Sequence, residues 1–229
     1  ALLRHTSDGG AWRTLPRVYD RVDYALFASP SCTWYAAVNT GVVRECDNQR
    51  VTYTQSSGLP SATIFHIAQD SGGRIWVGTD RGVAYFEPAT NTFKTVATLP
   101  SGYSFGIIAA QDGLLYAAID RTIYQIHPNS LTVTPWPVRY PSMITELYQS
   151  PDGVIWVGTH EHGLTTLTRD EPQMTSVTNG LPNNHILSIF MDREQILWVG
   201  THRGLVQFRP AQFHSHRAED GLGYDYVRA

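Results

Sequence analysis

The feature that most constrains this 229-residue sequence is a short phrase that keeps returning. Asp70-Ser-Gly-Gly-Arg-Ile-Trp-Val-Gly-Thr79 recurs as Pro151-Asp-Gly-Val-Ile-Trp-Val-Gly-Thr159 and again as Asp192-Arg-Glu-Gln-Ile-Leu-Trp-Val-Gly-Thr201. Two looser copies fill the gaps, Ser31-Cys-Thr-Trp-Tyr-Ala-Ala-Val38 and Asp112-Gly-Leu-Leu-Tyr-Ala-Ala-Ile119. Their aromatic anchors Trp34, Trp76, Tyr116, Trp156 and Trp198 stand 42, 40, 40 and 42 residues apart. Self-similarity at such a period marks a repeat architecture, in which each copy is one supersecondary unit stacked on its neighbours.

Each copy divides into four short strands. The first follows a Gly-Leu-Pro-type turn, as in Thr63-Ile-Phe-His-Ile-Ala-Gln69 or His185-Ile-Leu-Ser-Ile-Phe190. An Asp/Gly turn leads to the Trp strand. A tight turn ending at Gly41, Gly82, Gly163 or Gly204 leads to the third, such as Val83-Ala-Tyr-Phe86, and a Pro/Asn turn to the fourth, such as Thr92-Phe-Lys-Thr-Val96. The runs are β-branched and aromatic between Gly, Pro, Asn and Asp, and no helical pattern of ten or more residues interrupts them. An all-β chain with a four-strand unit of roughly 40 residues is expected to be a β-propeller. Five complete blades are expected at 17–57, 58–98, 99–138, 139–179 and 180–220.

Partial blades are expected at both ends, 1–16 and 221–229. Ala1-Leu-Leu-Arg-His5 aligns with Gly204-Leu-Val-Gln-Phe208, and Gly221-Leu-Gly-Tyr-Asp-Tyr226 with Gly180-Leu-Pro-Asn-Asn-His185. Joined as one blade, these ends would lack a Trp strand. A piece of a longer array is therefore preferred over an irregular six-bladed ring.

The net charge of −3 leaves no basic footprint, so nucleic acid is not expected as a partner. No apolar run approaches a spanning helix of about 20 residues, and the first residues do not read as a signal peptide. Membrane attachment is expected only through segments of a parent protein beyond these residues. Cys32 and Cys46 fit neither a CxxC motif nor a metal-ligand spacing. They flank a hairpin turning near Asn39-Thr40, in which Val38 is expected opposite Gly41 and Cys32 opposite Asp47 or Cys46. That position allows a disulfide in an oxidising compartment; the alternative is two small buried residues.

At Gly180-Leu-Pro-Asn-Asn-His-Ile, Asp192 and Leu197-Trp-Val-Gly-Thr-His-Arg-Gly-Leu205 the sequence resembles the two-component regulator propeller repeat. Gly58-Leu-Pro, Asp70 and Ile75-Trp-Val-Gly-Thr-Asp-Arg-Gly82 match it nearly as well, and the fourth copy keeps the Trp-Val-Gly-Thr core. The resemblance implies a periplasmic sensor of the kind found in hybrid histidine kinases or before diguanylate cyclase domains. Such sensors commonly have seven blades per ring, often two rings, and then a small β-sandwich.

The repeated residues have structural explanations. Trp34, Trp76, Trp156 and Trp198 can wedge between blades, the Gly after Trp-Val lets neighbouring backbone approach, and the Thr can satisfy turn amides. Function should lie where the copies differ, in the turns between second and third strands: Asp80-Arg81, Asp120-Arg121, His160-Glu-His162 and His202-Arg203. Because strand direction alternates, the loops before each first strand, with Ser61, Tyr103, Ser142, Asn183, Asn184 and His185, should emerge at the same end. The expected ligand-binding set is Asp80, Arg81, His160, His162, Asn184, His185, His202 and Arg203, facing a small polar ligand such as a carbohydrate, or a protein partner. Each is also what a solvated turn would carry.

His160, His162 and His202 could supply three metal ligands, but no acid or cysteine stands beside them at an established spacing, so no metal or other cofactor is expected. His214 and His216 alternate on an expected outer strand, facing water. Thr6-Ser-Asp-Gly-Gly-Ala-Trp12 is similar to the Asp-box turn of sialidase-type propellers, one residue short, and is expected to be a hairpin turn. Nucleophile-elbow, Walker, HExxH and dinucleotide motifs are absent. The expectation is a non-catalytic, periplasmic sensing or interaction propeller. The rival is a propeller lyase or hydrolase working at the central channel, for which Glu146 is a rare inner-strand acid.

Overall fold

The computed structural model describes residues 3–4, 13–14, 22–28, 32–37, 39–46, 49–168, 176 and 180–208. The expected end blade 221–229, the Thr6–Trp12 turn, and His214 and His216 lie outside the described residues. So does the expected end blade 1–16 except for β1 (Leu3–Arg4) and β2 (Arg13–Thr14), which pair antiparallel.

Five larger antiparallel sheets follow among the described residues. The first has β3 (Val22–Ala28), β4 (Cys32–Ala37), β5 (Gly41–Cys46) and β6 (Gln49–Tyr53). The second has β7 (Ile64–Gln69), β8 (Ile75–Thr79), β9 (Gly82–Glu87) and β10 (Thr92–Thr95). The third has β11 (Ile107–Ala109), β12 (Leu115–Ile119), β13 (Thr122–Ile126) and β14 (Val133–Arg139). Three strands are described in the fourth sheet, β15 (Ile144–Gln149), β16 (Ile155–Thr159) and β17 (Leu164–Thr166), and three in the fifth, β18 (Ile186–Met191), β19 (Leu197–Thr201) and β20 (Gly204–Phe208). Strand order within every sheet is sequence order, so each is a meander of hairpins. Pro135 and Pro137 sit in β14, an outermost strand where a missing amide breaks no ladder bond.

First strands of successive sheets lie side by side: β3 against β7, β7 against β11, β11 against β15, β15 against β18. The sheets therefore stack face to face with their first strands innermost. The core is the set of layers between them. Trp34, Val42 and Tyr53 of the first sheet meet Ile64, Ile67, Val77, Phe86 and Phe93 of the second. Trp76, Val83 and Tyr85 meet Ile107, Leu115, Ala117 and Ile126 of the third. Tyr116 and Ile123 meet Ile144, Leu147 and Val157, and Leu164, Tyr148 and Trp156 meet Ile186, Ile189 and Val199. The anchor rings of Trp34, Trp76, Tyr116 and Trp156 fill the gaps between one sheet and the next, and Trp76 is fully buried.

The repeat's polar residues close its turns. Asp70 Oδ1 accepts from the amides of Gly72 and Arg74, both at 2.9 Å, while Oδ2 accepts from the Trp76 indole at 2.8 Å. Asp192 does the same for Glu194, Ile196 and Trp198, at 2.9, 2.9 and 2.7 Å. The Thr79 hydroxyl donates to Gly82 O (2.9 Å) and accepts from the Arg81 amide (3.0 Å). A Cβ on Gly78 would collide with the Ser104 carbonyl in the loop that leads into β11, so this position must be glycine for the second and third sheets to close up.

The first hairpin corrects an expected register. Ala37, not Val38, pairs with Gly41, and the Thr40 amide donates to Ala37 O at 3.0 Å. Val38 itself lies outside the described residues. Asn39 (φ 51°) and Gly41 (φ 123°) both take left-handed backbone, which suits a longer turn than the two-residue one expected. In this register Cys32 stands opposite Cys46, with Cα atoms 4.4 Å apart and the sulfurs bonded. No helix among the described residues is long and apolar enough to cross a membrane.

Candidate functional site

Alternating strand direction brings the turns between second and third strands to the same end as the loops before the first strands. The Gly82 amide donates to Gly102 O (2.8 Å) and Asp120 N to Tyr103 O (2.9 Å). His160 N donates to Met143 O (2.9 Å), Gly163 N to Asn184 O (3.0 Å), and His202 N to His185 O (3.0 Å). Backbone bonds thus fix the second, third, fourth and fifth turns against loops and make a rim along these sheets. Thr159 and Thr201 cap the fourth and fifth turns as Thr79 caps the second, accepting from the amides of His162 (3.2 Å) and Arg203 (3.3 Å). Asn183 Oδ1 accepts from the His185 amide at 2.9 Å, holding the loop that presents that imidazole.

Three imidazoles converge here. The rings of His160 and His185 lie 4.2 Å apart between centroids, and those of His185 and His202 5.6 Å apart. The three come from the β16–β17 turn, the loop before β18 and the β19–β20 turn. Half-buried His185 sits between its neighbours, and its pKa is pushed down by burial first and then by the charges of His160 and His202. Glu161 Oε1 lies 3.7 Å from His160 Nδ1. His162 is exposed. Among the described residues no group of three or more His, Cys, Asp or Glu is placed to hold a metal ion. The companion of His160 and His202 is His185, not the His162 that sequence spacing offered.

Inward of the rim, the first strands bulge. Ladder pairing skips Phe65 in β7, Thr145 in β15 and Leu187 in β18. Phe65 stacks on Phe105 with centroids 4.2 Å apart, and Tyr103 stacks on both rings at 6.0 Å. Tyr103 is 48% exposed and Leu187 51%, so this inner lip presents apolar surface to water. One residue further, His66 and Glu146 occupy the same register position, each opposite the glycine of Trp-Val-Gly. Burial pushes the His66 imidazole down to about 4 and the Glu146 carboxyl up to about 8, so both are uncharged at neutral pH.

The family model of the two component regulator propeller matches residues 58–81 and 180–203. Over these two segments the chain carries two-component regulator propeller repeats. Among solved structures, it superposes on an extracellular domain assigned to a one component system of B. thetaiotaomicron, with TM-score 0.76 and 19% identity over 87% of this chain and 29% of that one. A second, assigned to a hybrid two component system of the same organism, gives TM-score 0.66 and 22% identity over 85% and 28%. Virginiamycin B lyase from Staphylococcus aureus gives TM-score 0.66 and 14% identity over 86% and 72%. At these identities the likeness is one of fold, a β-propeller. The chain spans less than a third of the two extracellular domains. No curated protein sequence matches it.

In this propeller the expected ligand residues fall into two groups on one rim. His160, His162, Asn184, His185, His202 and Arg203 lie where the fourth sheet meets the fifth. Asp80 and Arg81 lie where the second meets the third, and Asp80 Oδ1 is buried with no hydrogen-bond partner. Sequence reasoning passed over Phe65 and Phe105, which hold equivalent positions 40 residues apart just past the loop; that repetition was the available signal. It also read Asp70 and Asp192 as turn residues only, although each precedes its Trp by six residues.

Proposed function

We propose that this chain is a non-catalytic sensing or interaction propeller from the extracytoplasmic, periplasmic part of a bacterial signal-transduction protein. Its five complete blades are taken as 17–57, 58–98, 99–138, 139–179 and 180–220, part of a longer array. The ligand, a small polar molecule such as a carbohydrate or else a protein partner, sits on the rim near the fourth and fifth blades. The observation that carries this is the convergence of His160, His185 and His202 at positions where the repeat does not conserve its own residues. A scaffold position repeats because every blade must pack alike, whereas a binding surface needs distinct chemistry. The disulfide and the likeness to extracellular domains of signalling systems support the oxidising compartment.

The test begins with a thermal-shift screen of glycans and small metabolites. Hits should bind the His160→Ala/His202→Ala/Arg203→Ala variant at least tenfold more weakly, a loss of about 1.4 kcal/mol, with little change in Tm. Equal binding by that variant moves the site to the inner lip.

A second reading, a lyase or hydrolase at the central channel, is favoured by one observation: His66 and Glu146 share a register position on two first strands. It predicts turnover that is lost in His66→Gln or Glu146→Gln while binding persists.

A further inference from the structure

We infer that the rim at the fourth and fifth sheets is an oxyanion site, with a carboxylate, sulfate or phosphate group seated on the clustered imidazoles of His160, His185 and His202, the last of which is followed in the turn by Arg203. This rests on the proposal that this rim binds the ligand, and it names the ligand's chemistry.

The balance of charge around the cluster points that way. From the β16–β17 turn come His160, Glu161 and His162, and from the β19–β20 turn His202 and Arg203. The loop before β18 adds His185 with the neutral amides Asn183 and Asn184. The loop packed beneath His160 contributes Ser142, whose hydroxyl accepts from the Glu161 amide at 3.2 Å, and buried Tyr140, a phenol that burial pushes up to about 12 and leaves neutral. These turns and this loop therefore carry one carboxylate, one guanidinium and four imidazoles, three of which converge. A cationic ligand would find a single partner, Glu161. An anion would find several.

The spacing makes the second half of the case. Rings 4.2 and 5.6 Å apart cannot all carry protons without repelling one another, and burial of His185 adds to that cost. An anion in contact with them removes the repulsion, and each imidazole that protonates gains a second N–H donor toward it. Binding and proton uptake are then the same event. By linkage, affinity must rise as pH falls from about 7.5 to about 5.5, because the bound state holds more protons than the free one. Glu161 competes for His160 from 3.7 Å away, and its side chain is exposed enough to swing off when an anion arrives.

The probe is inorganic sulfate, exchanged for chloride at a constant ionic strength of about 0.1 M, with the histidine ring resonances followed by NMR. The signals of His160, His185 and His202 should move together on sulfate exchange, and at least threefold further at pH about 5.5 than at about 7.5. His66 and His127 should stay still. His185→Gln should abolish the response, and Glu161→Gln, an exposed change that spares the fold, should strengthen it severalfold. Unmoved histidine signals, or a Glu161→Gln variant weaker than wild type, would overturn the oxyanion site. Broadening of the same three signals by micromolar Ni²⁺ with no sulfate response would make the cluster a metal site instead. Loss of the sulfate response leaves the rim proposal standing if the triple variant still loses its screened ligand. The reverse result removes the rim proposal alone.

Discussion

The second and fifth sheets contain the two segments that match the repeat family, and they differ in an instructive way. Their scaffolds superimpose bond for bond: Asp70 holds Trp76 as Asp192 holds Trp198, and Thr79 caps its turn as Thr201 does. Beyond the Thr they diverge. The second sheet presents Asp80 and Arg81, with Phe65 stacked against Phe105 and Tyr103 just inside. The fifth presents His202 and Arg203, joined by His185 and by His160 from its neighbour. Packing fixes the repeated positions and leaves the turn tips to be chosen blade by blade. The same motif thus builds a rim whose two stretches have unlike chemistry.

The two tryptophans offer the largest test of how far the likeness extends. Trp76 is 0% exposed between two sheets, whereas Trp198 remains half-buried. Trp76→Ala should cost about 4 kcal/mol, as deletion of a fully buried aromatic does, and Trp198→Ala roughly half of that. Urea unfolding monitored by circular dichroism would measure both. Equal costs would mean that the fifth sheet's outer face is covered in solution as completely as the second's.

Inner-strand position 66 separates the two sheets again, being His66 in the second and Ser188 in the fifth, with Glu146 at the same place in the fourth. Between about pH 4 and 6.5 unfolded His66 carries a proton that the folded residue lacks, so its contribution to stability rises with pH. Between about pH 4.5 and 8 folded Glu146 keeps a proton that the unfolded residue has lost, so its contribution falls with pH. The slopes cancel from about 4.5 to 6.5, and above that Glu146 alone acts. Stability should therefore hold level to about pH 6.5 and then fall by on the order of 2 kcal/mol by pH 8, at 1.36 kcal/mol per unit. Glu146→Gln should abolish that fall, and His66→Gln should move its start down to about pH 4.5. Denaturation midpoints that follow the wild-type profile in both variants would mean that neither group titrates as its burial requires.

Much of this was legible in the sequence, because repetition makes packing visible. The Trp spacing gave the stacked sheets, and the glycine and Thr after Trp-Val gave the close approach at Ser104 and the capped turns. Strand alternation placed turns and loops on one rim. The inner-strand bulge was not legible, since it depends on ladder geometry rather than residue type, and with it the Phe65–Phe105 stack was lost. The histidine partnership was half legible. Residues 160, 185 and 202 could each be named, but turn spacing alone could not choose His185 over His162, because loop-to-turn backbone bonds make that choice. The hairpin of the two cysteines slipped by one position, because the left-handed backbone at Asn39 lengthened a turn that composition suggested was tight.

The third sheet shows what happens when the motif decays, and it supports the smallest expected effect. Where Asp70 and Asp192 stand, it has Ala110, whose amide still bonds Leu114 O at 2.9 Å but which has no carboxylate to offer. Asp112, two residues on, takes over: Oδ1 accepts from the Leu114 amide at 3.0 Å, and Oδ2 from the Tyr116 hydroxyl at 2.8 Å. The anchor has changed with the acid, since a phenol reaches further along its axis than an indole N–H, and Gln125 donates to the same hydroxyl at 2.9 Å. Asp112 is exposed, so water can replace what is lost. Tyr116→Phe should then cost only about 1 kcal/mol, the net worth of a solvent-accessible hydrogen bond. Asp70→Ala in the second sheet should cost about 2 kcal/mol, because it strands a buried indole N–H and two turn amides at once. Urea midpoints of the two variants would rank them. A Tyr116→Phe variant as destabilised as Asp70→Ala would mean that the substitute pairing is as buried and as tightly coupled as the original, and that the third sheet has not relaxed the motif but rebuilt it.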